Sequence, residues 1–186
     1  QPHVLWSMSK SLVGLLVTEL IQEGAIDAGA RIVRYLPELA NSAWADATVQ
    51  QTLDMTTGVK YAEDFADPTS GVFQYLAAAG LQPARPGSNV AKSMAEHLPT
   101  VQKDGEHGTA FAYKSVDTEV LGWLLQRVTG KSYATLLSER IWSKLGTQED
   151  AYVFADANGG QATSVGVNAT LRDLGRLGEM LRSNGR

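Results

Sequence analysis

Residues 7–17 read SMSKSLVGLLV, and this stretch decides the interpretation of the whole chain. Ser7 and Lys10 are three positions apart, and residues at this spacing lie on the same face of a helix. The apolar run that follows, from Leu12 to Val17, predicts a helix buried at the centre of the fold. We therefore expect the Ser7 hydroxyl and the Lys10 amine to lie within hydrogen-bond reach at the start of a core helix.

This pairing suits nucleophilic catalysis, because a free serine hydroxyl is a weak nucleophile that needs an adjacent base. A lysine amine can act as that base when burial or a second cation favours its neutral form. The unpaired N–H groups at the start of a helix also favour an oxyanion beside the serine. The alternative is structural: Ser7 caps the helix and Lys10 is solvated.

A second group of hydroxyl-bearing residues lies at Tyr113 and Ser115, directly before an apolar periodic stretch. Side chains two positions apart in an extended segment point to the same side, so both hydroxyls are expected in one cleft. There Tyr113 could relay a proton to a leaving group and titrate together with Lys10. The alternative for Tyr113 is a half-buried tyrosine that precedes a helix cap.

Together these motifs resemble those of the penicillin-recognising serine hydrolases, which comprise β-lactamases, D,D-peptidases and related esterases. Residues 7–10 are similar to the Ser-x-x-Lys nucleophile motif of that family, and residues 113–115 to its Tyr-x-Asn/Ser motif, at the separation typical of the class C branch. Residues 53–58 and 166–178 also resemble segments of this branch. The resemblance implies the α+β fold of β-lactamases and penicillin-binding proteins.

Within the class C branch, the chain is most similar to 6-aminohexanoate-dimer hydrolases and family VIII-type carboxylesterases. The similarity rests on Leu-Asp-Met-Thr at residues 53–56, on the acidic loop at residues 61–68 and on Ser115, where class C β-lactamases usually have asparagine. It implies that Tyr61 is the loop tyrosine that contacts the substrate amide. The alternative for Tyr61 is an ordinary loop aromatic.

The third motif of the family, Lys/His-Thr-Gly on a sheet strand, is not found in residues 1–186. We therefore expect a single domain over residues 1–186, the mainly α-helical lobe of a larger serine hydrolase, with the flanking sheet strands missing. Hydrophobic periodicity predicts helices over about residues 7–23, 48–55, 72–79, 89–97 (with Ser88 as its cap), 117–129 and 133–145, and a last helix from Thr170 through Leu181.

The composition argues against several other classes of protein. A net charge of −4 and a pI near 5.4 argue against a nucleic-acid partner. The chain has no cysteine, and its three histidines, His3, His97 and His107, lack metal-ligand spacing and are expected in solvated positions. The apolar run of the first helix is too short to span a bilayer. Adjacent acids such as Glu63 and Asp64 are expected to be solvated loop charges.

We predict a serine hydrolase that cleaves a small-molecule ester or amide through an acyl-enzyme, without a cofactor or metal. In this prediction Ser7 is the nucleophile, Lys10 the general base and Tyr113 the proton donor; Ser115 completes the proton network and Tyr61 binds substrate. One alternative is a β-lactamase or D,D-peptidase on the same fold. The other is a non-catalytic helical binding domain. The sequence leaves open the acyl and leaving groups, the oligomeric state and the compartment, cytoplasm or periplasm.

Overall fold

A computed structural model describes residues 1–87 and 91–185. Within these residues the chain forms seven α-helices and three short strands. The helices are α1 (Ser9–Gln22), α2 (Val49–Leu53), α3 (Gly71–Ala78), α4 (Met94–His97), α5 (Ser115–Thr129), α6 (Tyr133–Arg140) and α7 (Leu171–Arg182); the strands are β1 (His3–Val4), β2 (Tyr152–Val153) and β3 (Val167–Ala169).

Helix α1 is the predicted core helix, and the structure confirms it. It packs on α5 and α6, and its buried residues include Leu12, Val13, Leu16 and Val17, each at most 1% exposed. Burying a side chain of this size contributes roughly 1.5–3 kcal/mol. Helix α1 is therefore held firmly, and the residues at its start have a fixed position.

The starts of α2 and α7 are set by hydroxyl caps. At α2, Thr48 and Gln51 form a reciprocal pair: the Gln51 N–H donates to Thr48 Oγ1 at 3.1 Å, and the Thr48 N–H donates to Gln51 Oε1 at 2.9 Å. At α7, the Asp173 N–H donates to Thr170 Oγ1 at 3.2 Å. The predicted start of the last helix at Thr170 is thus confirmed.

Several predicted helix boundaries differ from the structure; α5, for example, begins at Ser115 and not at Asp117. Residues Trp6–Met8 form a tight 3-10 helix, so α1 begins at Ser9. Helix α6 ends at Arg140 because Ile141 leaves the helical region, with φ −124° and ψ −65°. Residues 88–90, which include the expected cap Ser88, lie outside the described residues; α4 begins at Met94.

The three strands form a small antiparallel sheet in the order β1-β3-β2. The sequence did not predict them, because segments of two or three residues are too short to show an alternating pattern. Beyond β1, the Leu5 N–H donates to the Val167 carbonyl at 2.8 Å, and the Val167 N–H donates to Ser9 Oγ at 3.2 Å. The sheet thereby fixes the start of α1 against the segment at the N-terminal end of β3.

The loop that follows α2 is anchored rather than free. The His107 side chain is 5% exposed, and its Nδ1 accepts the Gly58 N–H at 2.9 Å. Nε2 therefore carries the ring hydrogen and donates to Asp46 Oδ1 at 3.0 Å. Lys103 also donates to Asp46, at 2.6 Å, and chiefly for that reason the pKa of Asp46 falls to about 2. The expectation that His107 is solvated was therefore wrong, as it was for the buried His97.

Candidate active site

Ser7 and Lys10 lie together, as their spacing predicts. Lys10 Nζ is 3.1 Å from Ser7 Oγ and donates a second hydrogen bond to the Ser164 carbonyl at 3.2 Å. Ser7 is exposed and Lys10 is half-buried in the first turn of α1. The residue before α1 is Met8, and no side chain caps the helix there. The structure therefore contradicts the alternative in which Ser7 merely caps the helix.

The backbone at Trp6 makes a sharp turn immediately before Ser7. Its φ of 48° lies in the left-handed region, which costs a residue with a Cβ about 1–2 kcal/mol. Leu5 on one side is fixed to β3 and Ser9 on the other is buried. The turn presents the Ser7 hydroxyl to solvent between two fixed points, and a non-glycine residue in this conformation is typical of functional sites.

Tyr113 joins this pair. Lys10 Nζ lies 5.0 Å from the centre of the Tyr113 ring, within the range of a cation–π interaction. Tyr113 is 42% exposed, and its chain segment is tied to the loop after α2 by the Ala112 N–H, which donates to the Met55 carbonyl at 3.0 Å. Ser7, Lys10 and Tyr113 therefore share one open face of the lobe.

Ser115 does not share the exposure of Tyr113. It is 2% exposed, because it is the first residue of α5 and has a helical backbone, where the two-residue alternation of extended segments does not hold. The two residues therefore differ in exposure, and the expectation that both hydroxyls face one cleft stays a prediction. The inward side chain between them, Lys114, donates to the Thr57 carbonyl at 3.0 Å and ties the motif to the α2 loop.

Glu63 makes a contact that the sequence did not predict. Its Oε1 accepts the Ser115 N–H at 2.7 Å, at the N-terminus of α5. A carboxylate is favourable there because it satisfies an unpaired N–H and interacts with the positive end of the helix dipole. Glu63 is therefore a helix cap, and the expectation that it is a solvated loop charge was wrong.

Tyr61 is partly buried and packs against the core of the lobe. Its ring lies edge-on to that of Tyr75, with centres 6.4 Å apart. Its hydroxyl lies near Glu63 and Ser115 but makes no hydrogen bond of good geometry to either. Burial raises the pKa of Tyr61, and the nearby Glu63 carboxylate raises it further. The role of Tyr61 as a substrate contact stays a prediction.

Asp117, two residues further along α5, is buried beneath the Tyr113–Ser115 segment. Its carboxylate accepts hydrogen bonds from Trp44 Nε1 at 2.8 Å and from Thr57 Oγ1 at 2.7 Å. Burial raises the pKa of Asp117 to about 6 despite these donors and the nearby Lys114 ammonium. Asp117 thus anchors α5 to the loop after α2.

Sequence reasoning also missed Ser164 and Glu119. The Ser164 carbonyl accepts from Lys10, and the buried Glu119 carboxylate accepts the Ser164 N–H at 2.9 Å. The available signal was a pair of acids, Asp117 and Glu119, at the start of the mostly apolar stretch of residues 116–125, where an unpaired charge would be costly. Such a position indicates that donors must come from elsewhere in the fold.

The part of the chain that the structure describes contains no cluster of three or more His, Asp or Glu residues suited to a metal ion. Nor, within those same ranges, is any helix long and apolar enough to cross a membrane.

Comparisons with known proteins identify the fold. A 6-aminohexanoate-dimer hydrolase from Paenarthrobacter ureafaciens is 40% identical over 183 residues, which cover 98% of this chain and 46% of that protein. The solved structure of a candidate 6-aminohexanoate-dimer hydrolase from Bacillus anthracis matches 100% of this chain and 49% of its own, with a TM-score of 0.92 and 32% identity. The chain thus spans about half the length of these relatives.

A more distant structure shows the same fold. The octameric penicillin-binding protein homologue from Pyrococcus abyssi matches 100% of this chain and 46% of its own, with a TM-score of 0.75 and 16% identity. These likenesses confirm the predicted fold, the mainly helical lobe of the β-lactamase and penicillin-binding-protein architecture. Since the family model described as Beta-lactamase also matches residues 1–186, the chain belongs to the beta-lactamase family.

Proposed function

We propose that the complete gene product is a serine hydrolase in which Ser7 attacks the carbonyl carbon of an ester or amide. The observation that carries this proposal is the 3.1 Å contact between Lys10 Nζ and Ser7 Oγ on an exposed face. A base within hydrogen-bond reach is what a serine hydroxyl needs to become a nucleophile. Membership of the beta-lactamase family supports the same chemistry.

The proposed reaction has two halves. In acylation, Ser7 Oγ forms a bond to the carbonyl carbon while its proton passes to the neutral Lys10 amine. The tetrahedral oxyanion collapses, the bond to the leaving nitrogen or oxygen breaks, and the leaving group takes a proton from Tyr113. In deacylation, water attacks the acyl carbon and gives a proton to Tyr113. The bond between the acyl carbon and Ser7 Oγ then breaks, and Ser7 Oγ takes back the proton held by Lys10 as the acid leaves.

The other predicted residues bind or position the reacting groups in this reaction. The Ser7 backbone N–H supplies one donor to the oxyanion, as expected for an N–H at the start of a helix. Ser115 is buried, and its backbone N–H donates to the Glu63 carboxylate. This hydrogen bond fixes the start of α5 next to Tyr113. Tyr61 is partly buried against Tyr75, and its assignment as a substrate contact rests on the family resemblance.

We further propose that the substrates are short linear amides of the 6-aminohexanoate-dimer type and simple carboxylic esters. The relative from Paenarthrobacter ureafaciens, at 40% identity over nearly the whole chain, is named for the dimer substrate, which supports the proposal. Esters are included because their leaving group is better than that of an amide while the acyl-enzyme is the same.

Turnover of three compounds tests the proposal: p-nitrophenyl acetate, the 6-aminohexanoate linear dimer and benzylpenicillin. The assay uses the complete gene product, Ser7→Ala, and Ser11→Ala as a matched control, since Ser11 is an exposed serine in α1, four positions from Ser7. We expect the unmodified protein and Ser11→Ala to hydrolyse the ester and the dimer, and Ser7→Ala to lose about 10³-fold or more in kcat.

The outcomes separate the two parts of the proposal. Full activity of folded Ser7→Ala would overturn the nucleophile. Hydrolysis of the ester without the dimer would overturn the amide substrate class and leave the nucleophile in place. A Ser7-dependent turnover of benzylpenicillin with neither other substrate would replace this proposal with a β-lactamase.

A further inference from the structure

We propose that Glu119 is a positioning residue for Lys10, because its carboxylate holds the turn at residues 163–164 that directs the Ser164 carbonyl onto the Lys10 amine. This inference rests on the proposed function, since the position of Lys10 matters to catalysis only if Lys10 activates Ser7. It concerns a residue on α5 that does not touch the nucleophile itself.

The carboxylate of Glu119 is 3% exposed and fully occupied. Its Oε2 accepts the N–H of Thr163 at 3.0 Å and the Thr163 hydroxyl at 2.7 Å. Its Oε1 accepts the N–H of Ser164 at 2.9 Å and the Tyr75 hydroxyl at 3.0 Å. One carboxylate thus binds the backbone N–H groups of two consecutive residues.

These bonds fix the orientation of the turn. Two N–H groups on one rigid carboxylate determine the direction of the chain through Thr163 and Ser164, and the Gly166 N–H closes the turn on the Ala162 carbonyl at 2.8 Å. The turn also lies close against α5: a Cβ at Gly122 would stand 2.2 Å from Thr163 Oγ1. The Ser164 carbonyl consequently has little freedom to point anywhere but toward Lys10.

A second set of bonds holds the Ser164 side chain. Tyr75 and Ser164 place their hydroxyl oxygens 2.6 Å apart. Burial and the Glu119 carboxylate raise the pKa of Tyr75, so its phenol remains protonated and donates to Glu119. It therefore accepts the hydrogen of the Ser164 hydroxyl. Backbone and side chain of Ser164 are both tied to the same buried carboxylate.

The Ser164 carbonyl matters because of the geometry of an amine. A neutral Lys10 amine has two N–H groups and one lone pair, and only the lone pair can take the proton of Ser7. The carbonyl engages an N–H at 3.2 Å, which leaves the lone pair free to face Ser7 Oγ at 3.1 Å. Without a fixed acceptor, the amine can rotate an N–H toward Ser7 instead.

A merely structural role for Glu119 is the competing explanation, and Asp156 offers a matched control. Asp156 is also a buried carboxylate that holds a turn, since its Oδ1 accepts the N–H groups of Asn158 at 2.9 Å and Gly160 at 2.8 Å. Its Oδ2 accepts the Met94 N–H at 3.1 Å. It binds neither the 163–164 turn nor Lys10.

The test compares Glu119→Gln with Asp156→Asn in the complete gene product. Thermal unfolding measures the structural cost, and kcat and KM for p-nitrophenyl acetate are measured per folded molecule. We expect both variants to lose stability, but only Glu119→Gln to lose more than tenfold in kcat, with KM changed less than twofold. A positioning residue acts on the base and not on substrate binding, so the loss falls on kcat.

Equal kcat values for folded Glu119→Gln and Asp156→Asn would overturn the inference. If Glu119→Gln does not fold, Glu119→Asp decides, because its shorter side chain withdraws the carboxylate from the N–H groups of Thr163 and Ser164. A fall of threefold or more in kcat relative to Asp156→Asn supports the inference, and an unchanged kcat overturns it. The Ser7→Ala variant distinguishes the two proposals. An active Ser7→Ala would overturn the proposed function. An inactive Ser7→Ala together with an unchanged kcat of Glu119→Gln would overturn this inference alone.

Discussion

Lys10 and Ser164 are 154 positions apart in the sequence, yet Lys10 Nζ lies 3.2 Å from the Ser164 carbonyl oxygen. Strand pairing brings them together, since β1 and the start of α1 are bonded to β3, and β3 directly follows the turn that contains Ser164. The candidate active site is therefore not a property of the Ser-x-x-Lys motif alone. It depends on a segment near the other end of the described chain.

Lys10 is expected to be indispensable to the nucleophile. Replacing it with alanine removes the base, and we expect Ser7 to react with an ester at a rate lower by about 10²–10⁴-fold. Lys10→Arg should be almost as slow, because a guanidinium stays charged and cannot accept the proton. Stopped-flow acylation measures both rates. Lys92→Ala, at an exposed lysine, is the control and should react normally; a fast Lys10→Arg variant would contradict the role of Lys10.

We expect the contribution of Asp117 to the free energy of unfolding to fall as the pH rises from about 4 to 6. Its pKa is 3.8 for the ordinary group and about 6 in the fold. Between about pH 4 and 6 the folded protein keeps a proton at Asp117 that the unfolded chain has released, so this contribution to stability is lost as the pH rises. The loss is of the order of 3 kcal/mol when a pKa difference is converted to free energy.

Denaturant unfolding of the unmodified protein and of Asp117→Asn at several pH values checks this. The free energy of unfolding of the unmodified protein, taken relative to Asp117→Asn, should fall between about pH 4 and 6 and be flat above it. Titrations elsewhere in the chain cancel in this difference. A difference that does not vary with pH would show that Asp117 titrates normally.

Glu63 is expected to stabilise the start of α5. Glu63→Ala removes the acceptor of the Ser115 N–H and should cost about 1 kcal/mol in the free energy of unfolding. Glu63→Gln keeps an acceptor and should cost less. Glu149→Ala, at an exposed acid, should be close to neutral in the same denaturation experiment. Equal stabilities of Glu63→Ala and Glu149→Ala would show that Glu63 is a solvated charge after all.

We expect replacement of Gly122 by alanine to destabilise the protein, although the same replacement usually stabilises a helix. Alanine is better than glycine in a helix by about 1 kcal/mol, but a Cβ at Gly122 would lie 2.2 Å from Thr163 Oγ1. We therefore expect Gly122→Ala to destabilise the protein by about 1–3 kcal/mol. Gly175 in α7 has open space at that position, and Gly175→Ala should stabilise the protein. If both variants are stabilised, the turn at Thr163 does not pack as described.

The part of the site that the sequence predicted is the part that depends on local spacing. Ser7 and Lys10 are one helical turn apart, and the apolar run behind them fixes their helix in the core, so their contact follows from periodicity. Their approach to Tyr113 was predicted from the two motifs taken together with a family resemblance, and Lys10 does lie over the Tyr113 ring.

The missed parts depend on long-range partners. Glu63 and His107 are polar residues whose hydrogen-bond partners come from segments far away in sequence, and no local pattern distinguishes them from solvated charges. Glu119 also has distant partners, which its apolar neighbours in sequence indicate but do not identify. The burial of Ser115 was not predicted because α5 begins at that residue and not at Asp117. A shift of one or two residues in a helix start changes which way a side chain points.

Intact mass spectrometry of the complete gene product after reaction with a fluorophosphonate tests the acyl-enzyme account most directly, with peptide mapping to locate the adduct. A nucleophilic Ser7 predicts one adduct on the peptide that contains Ser7, retained in Ser11→Ala and absent from Ser7→Ala. An adduct that persists in Ser7→Ala, or no adduct on the folded protein, would contradict the assignment of Ser7 as the nucleophile.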